Sequence, residues 1–221
     1  MPNEKVNILK NILSANDQLA IQNRQILDQH DIFGINIMAS PGAGKTSVIL
    51  KTLNFLEGIA CVGVIEGDTA PVTIDADKVN ALGAPAIQIN TGGNCHLDAV
   101  MIESAIKHLP LDELNLIIVE NVGNLVCPSS FDLGTHARVL IASIPEGDDK
   151  PYKYPGMYRG ADVVILNKID LLPYVDFNEE YFRKGIELLN PGVLIFPLSC
   201  KTGEGFSPWI SWIKSRLSNN K

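Results

Sequence analysis

No run of about 18 consecutive apolar residues occurs in this 221-residue chain, which excludes a helical membrane span. A basic surplus is missing too. The 25 acidic and 18 basic residues leave a net charge of −7, whereas a general nucleic-acid binder needs a basic footprint. That balance is compatible with handling cations. Cysteine is sparse, at Cys61, Cys95, Cys127 and Cys200. The first residues, MPNEKVNILKN, lack the basic start and apolar core of a signal peptide. A disulfide framework is therefore not expected, and a cytoplasmic chain with reduced thiols is. The thiols are then free to act as buried fillers, nucleophiles or metal ligands. Internal repeats and low-complexity tracts are absent as well. What remains is 46% apolar and 19% charged, the make-up of an ordinary globular domain able to bury a core unaided.

Apolar periodicity organises the chain. Residues 4–29 read as a helix with Val6, Leu9, Ile12, Leu13, Leu19, Ile26 and Leu27 roughly on one stripe. The stripe suits packing on the domain or docking of a partner. We assign residues 1–30 to an N-terminal helical extension and 31–221 to the main domain. Short apolar runs follow at Ile32–Met38, Ala60–Ile65, Ala86–Ile89, Leu116–Glu120, Arg138–Ser143, Val163–Asn167 and Val193–Leu198. Between them, Thr46–Leu56, Ile74–Leu82, Leu97–His108, Glu179–Leu189 and Pro208–Leu217 look helical. Strands alternating with helices predict an α/β fold, a mostly parallel sheet with helices on both faces. Residues 145–160, PEGDDKPYKYPGMYRG, read as a long irregular loop and a candidate for mobility.

The first chemical signal follows the first strand. Ala39-Ser-Pro-Gly-Ala-Gly-Lys-Thr46 fits the P-loop pattern G-x-x-x-x-G-K-S/T with Ala in the first position. Pro41, Gly42, Ala43, Gly44 and Ser47 would lie along the phosphates, which successive backbone N–H groups and the helix N-terminus attract. Lys45 would reach the β- and γ-phosphates, and Thr46 would offer a hydroxyl to Mg²⁺.

The base follows from VILNKID. Asp170 of this N-K-x-D can accept from both the ring N1–H and the exocyclic amine of guanine; adenine would leave it unpaired. Asn167 and Lys168 complete the motif, about 120 residues beyond the P-loop. SCKTGEG brings Ser199, Cys200 and Lys201 to the loop where GTPases carry Ser-Ala-Lys. GTP and GDP are thus the expected nucleotides. IIVENVGNL supplies an E-x-x-G, in which Glu120 would sit beside Mg²⁺ and Gly123 would sense the γ-phosphate. Asp68 and Asp75 are candidates for further Mg²⁺ contact, or are turn and cap residues. Lys45, Asp75 and Glu120 are the catalytic candidates. Asn124, rather than Gln or His, follows Gly123, so slow intrinsic hydrolysis is expected.

INTGGNCHLDA, ENVGNLVCP, FDLGTHARV and EGDDKP together resemble the hydrogenase nickel-insertion GTPases, the HypB family, over nearly the whole chain. The resemblance implies a P-loop GTPase of the signal-recognition-particle/MinD class. Such a protein forms a GTP-dependent homodimer and assists nickel delivery to the nickel–iron hydrogenase large subunit, with a HypA-like nickel-binding accessory protein. It maps the family's metal residues onto Cys95, His96 and Cys127. No His-rich or Cys-rich segment near the N-terminus is present, so a nickel store is not expected.

The residues' own chemistry is compatible with that mapping. Cys95 and His96 adjoin a predicted helix start, where the dipole favours thiolate. One chain offers three ligands and two chains offer six, a set suited to Ni²⁺ or Zn²⁺. An adjacent Cys-His pair can equally be structural. Cys61 and Cys200 read as packing residues; His30 and His108 end helices, and His136 either caps a turn or approaches the metal. Two other readings stay open: an accessory GTPase for urease or a cobalamin enzyme, and a GTPase switch with no metal role.

Overall fold

The computed structural model describes the backbone of residues 3–69 and 74–219, and the side chains of residues 12–69 and 76–218. Seven strands form one parallel sheet: β1 Phe33–Ala39, β2 Val62–Asp68, β3 Ala86–Asn90, β4 Leu116–Glu120, β5 Ala137–Ser143, β6 Val163–Asn167 and β7 Leu194–Pro197. Their order is β3-β2-β4-β1-β5-β6-β7. The chain runs from β1 outward on one side, returns to β4, then builds the other side from β5. β1 is therefore the switch point, and the crevice beyond its carboxyl end is the natural ligand position for such a sheet.

Burial on both faces makes the strands near-continuous apolar runs, and their two-residue period sorts the side chains. Ile35, Ile37, Ile118, Val139 and Ile165 meet α2 (Lys45–Leu56) and α8 (Phe206–Asn219) through Val48, Ile49, Trp209 and Ile213. On the other face, Ile65, Ile117 and Val119 pack on Ile102, Ala105 and Ile106 of α4 (Ala99–Ile106) and Leu27 of α1 (Asn3–Gln29). Further along that face, Met38, Leu140 and Val164 cover Met157, Tyr158, Phe182 and Ile186. α3 (Ile74–Ala81) lies against β2 and β3.

The predicted α/β fold and N-terminal helix are as expected, and three details differ. β2 extends to Asp68, which places Glu66 and Asp68 on the strand end instead of in a loop. Residues 145–160 are not one irregular loop. They form α5 (Lys150–Lys153) and α6 (Pro155–Arg159), which pack on α7 (Glu179–Leu189) and bury Met157 and Tyr158. Pro151 and Pro155 occupy first-turn positions, where the missing N–H costs nothing. The helix predicted from Leu97 begins at Ala99, because Asp98 is its N-cap and accepts from Met101 N–H. Cys95 and His96 therefore precede the cap and do not adjoin the first turn.

Candidate functional site: a nucleotide loop beside a thiol–imidazole cluster

Residues 40–44 turn from β1 into α2 through two left-handed glycines, Gly42 at φ 76° and Gly44 at φ 102°. A Cβ on Gly44 would stand 2.5 Å from Asn167 Nδ2, so the position also requires glycine for space. Two motif residues from the end of β6 brace the loop. Asn167 Nδ2 donates to Ala43 O at 2.9 Å, and Lys168 Nζ donates to Gly42 O at 2.7 Å. The base motif and the phosphate loop are thus one hydrogen-bonded unit. Asp170 is held by the Ser199 hydroxyl at 2.6 Å, with Cys200 half-buried beside Asn167. Burial pushes the Cys200 thiol up to about 11, which keeps it neutral. Lys201 is exposed at the rim of that loop.

A cleft of about 540 Å³ runs from Pro41, Lys45 and Thr46 to Asp68, Glu120 and Gly123. Thr46 Oγ1 donates to Glu120 Oε1 at 2.9 Å. Glu66 is directly across from Glu120 in the β2–β4 register, and both are buried, at 5% and 7% exposure. Sequence reading missed Glu66. Alternation on β2 was the available signal, since Glu66 shares the α2 face with Val62 and Val64. The side chain of Asp75 lies outside the described residues. Gly123 closes on the loop: a Cβ there would meet Pro41 backbone at 3.1 Å and Lys45 Nζ at 3.2 Å.

Cys95, His96 and Cys127 converge beside this cleft, their ligand atoms all within 4.8 Å of one another. Cys95 Sγ lies 2.7 Å from Cys127 Sγ and 3.8 Å from His96 Nδ1. The facing Cys95 thiol and burial push the Cys127 thiol up, with the Asn124 side chain opposing. The two sulfurs face each other ahead of the Asp98-capped start of α4. Burial lowers the His96 imidazole against the pull of Asp98, which favours its neutral, ligand form. Phe131 stacks on that ring, centroids 3.9 Å apart.

Residues 34–197 match the CobW/HypB/UreG nucleotide-binding domain. The hydrogenase maturation factor HypB of Escherichia coli K12 is 44% identical over 205 residues, 93% of this chain and 70% of that protein. The chain belongs to the HypB family. The probable hydrogenase maturation factor HypB of Methanocaldococcus jannaschii is 38% identical over 216 residues, 98% of this chain and 97% of its own. The crystal structure of HypB from Helicobacter pylori in complex with nickel aligns with a TM-score of 0.89 at 35% identity, covering 93% of this chain and 96% of that one. Membership makes this a nucleotide-binding P-loop GTPase associated with hydrogenase maturation. No described helix is long and apolar enough to cross a membrane.

In this HypB chain the remaining motif, FDLGTHARV, has a structural task. His136 lies outside the Cys95–His96–Cys127 cluster. Its Nδ1 accepts from Gly34 N–H at 2.8 Å and its Nε2 meets Asp28 Oδ1 at 2.8 Å, fixing α1 to β1. His30 pairs with Asp112, and His108 bonds Ser104 O. Cys61 is exposed just ahead of β2.

Proposed function

We propose that this chain is a GTP-hydrolysing metallochaperone of the cytoplasm that binds nickel and assists its insertion into the nickel–iron hydrogenase large subunit. It works as a GTP-dependent homodimer with the metal ligands at the interface, and receives or passes nickel through a HypA-like accessory protein. One observation carries the reading. The cysteine that completes the three-ligand cluster lies four residues beyond the glycine that packs against the phosphate loop.

The residues divide by chemistry. Loop N–H groups from Pro41 to Ser47, with Lys45, hold the phosphates, and Asn167, Lys168, Asp170 and the Ser199–Lys201 backbone hold guanine. Thr46 and Glu120, with Asp68 and the adjacent Glu66, form an oxygen-only donor set, which fits Mg²⁺ and not a soft ion. When bound, Mg²⁺ neutralises charge on the β- and γ-phosphates. Cys95, His96 and Cys127 form a thiolate–imidazole set for Ni²⁺ or Zn²⁺, the cargo. Three ligands per chain leave the site open, and a second copy closes it.

The test is a Ni²⁺ titration read by thiolate-to-nickel charge-transfer absorbance. Cys95→Ala and Cys127→Ala should abolish the signal and leave GTP affinity within about threefold of wild type, because neither thiol touches the phosphate loop. An undiminished signal in both variants would return the thiols to packing and leave a GTPase switch.

A further inference from the structure

The segment 121–131 grips the metal loop at successive points. Asn121, fully buried, accepts from Leu97 N–H at 3.1 Å and donates to Asn36 Oδ1 at 3.2 Å. Asn124 Nδ2 donates to the Cys95 carbonyl at 3.3 Å, while its Oδ1 accepts from Val126 N–H at 2.8 Å. The same two residues are tied by backbone to the strand that feeds the phosphate loop. Asn121 N–H donates to Ile37 O at 2.9 Å, and Asn124 N–H to Ala39 O at 2.8 Å. Gly123, between them, packs on Pro41 and Lys45. Beyond the cluster, both metal-bearing stretches are anchored elsewhere. Asn16 Oδ1 accepts from Ala99 N–H, Asn16 Nδ2 donates to Asp132 O, and Asn23 Nδ2 donates to Ala99 O and Leu133 O.

We propose that Asn124 is the positioning residue through which the nucleotide state sets nickel affinity. Its backbone reads the end of β1 and its side chain holds the carbonyl of the metal ligand Cys95. The proposal rests on the function proposed above and names how its two halves communicate. With α1 fixing the far ends at Ala99 and Asp132, a displacement of Gly123 is confined to 121–127. It reaches the metal loop through the Asn121 and Asn124 amides and the Cys127 sulfur. A ligand shifts such an equilibrium only by differential contact, and the Asn124 donor is a contact that a displaced 123–124 peptide would break. Asn121 shares the task but is wholly buried among hydrogen bonds, so the half-buried Asn124 separates coupling from folding more cleanly.

The experiment is Ni²⁺ affinity by chelator competition, in GDP and in a non-hydrolysable GTP analogue, for wild type, Asn124→Ala and Asn124→Asp. Asn124→Asp keeps the acceptor for Val126 N–H and removes the donor to Cys95, so it carries the test even where Asn124→Ala unfolds. Wild type should show affinities differing by about fivefold or more between the nucleotides, the low end of allosteric couplings. In both variants that ratio should fall toward one, with GTP affinity and thermal unfolding little changed. Variants that weaken nickel equally in both states, with the ratio intact, would overturn the proposal and leave Asn124 a structural residue. A wild-type ratio of one would overturn the nucleotide-gated reading itself, and the proposal with it.

Discussion

Asp170 receives the Ser199 hydroxyl at 2.6 Å, so its carboxylate is oriented before any base arrives. A carboxylate that accepts two guanine N–H groups is a charge-assisted pair, and converting it to an amide turns one acceptor into a donor. Asp170→Asn should therefore lower GTP affinity by about 10- to 100-fold, the range for a lost hydrogen bond to a charged group, and relax base choice. Competition binding with GTP, ATP and XTP reads both effects, and an unchanged GTP affinity would remove the guanine assignment. His136 has a pH consequence. Burial, with Arg24 assisting, lowers its pKa below the ordinary 6.5 against the pull of Asp28. The unfolded chain then binds the proton more readily, so stability present above about pH 6.5 is lost as pH falls through the folded value. His96 is shifted in the same direction. Denaturant midpoints across pH 5–8 should slope less in His136→Gln, which keeps an acceptor and a donor and cannot titrate; an identical slope would contradict the assignment. At this scale a motif is legible in the sequence where it is local. The P-loop and N-K-x-D announce themselves within a few residues. Glu66 escaped because its role follows from facing Glu120 across a strand pair, and Asn121, Asn124 and Phe131 because their partners are 24 to 35 positions away.

Among the elements, α1 contributes most beyond what its pattern suggests. Its apolar stripe was read correctly at Leu27, but Ile12 and Ile21 on the same helix are exposed, at 55% and 59%. Polar residues hold it: Asn16 and Asn23 through the bonds already described, and Arg24 through Gly134 O and Thr135 O. The packing is close enough that a Cβ on Gly134, itself at φ 85°, would lie 2.3 Å from Ala20 O. Such long-range side-chain-to-backbone bonds leave no periodicity to read. Asn23 is fully buried and donates to Ala99 O and Leu133 O. Asn23→Ala would leave both carbonyls without that donor and should cost about 1–3 kcal/mol, measured by urea unfolding. A loss below the error of that measurement would show that α1 is not fixed through this residue. The helices α5 and α6 were missed for another reason. Each spans about one turn and carries a proline in it, the same composition that marks a loop, and only burial of Met157 and Tyr158 against α7 decides for helix.

For the whole molecule, the topology brings two chemistries within one segment's reach. β4 lies beside β1, so the chain leaving Glu120 passes the phosphate loop at Gly123 before it arrives at Cys127. Under the proposed function, loss of the γ-phosphate should perturb a segment that carries Cys127 and holds Cys95 by its carbonyl. The sheet order was only partly legible: strand–helix alternation predicts a parallel sheet, but the return of β4 to the side of β1 depends on how distant strands pair. In the proposed function, hydrolysis, and not nucleotide binding alone, should loosen the nickel. The most direct test loads the protein with Ni²⁺ and either GTP or a non-hydrolysable analogue, and follows metal transfer to a colorimetric chelator during a single turnover. Nickel release with GTP should follow phosphate formation, and the analogue should hold the metal back. Equal release rates with the two nucleotides would contradict that function.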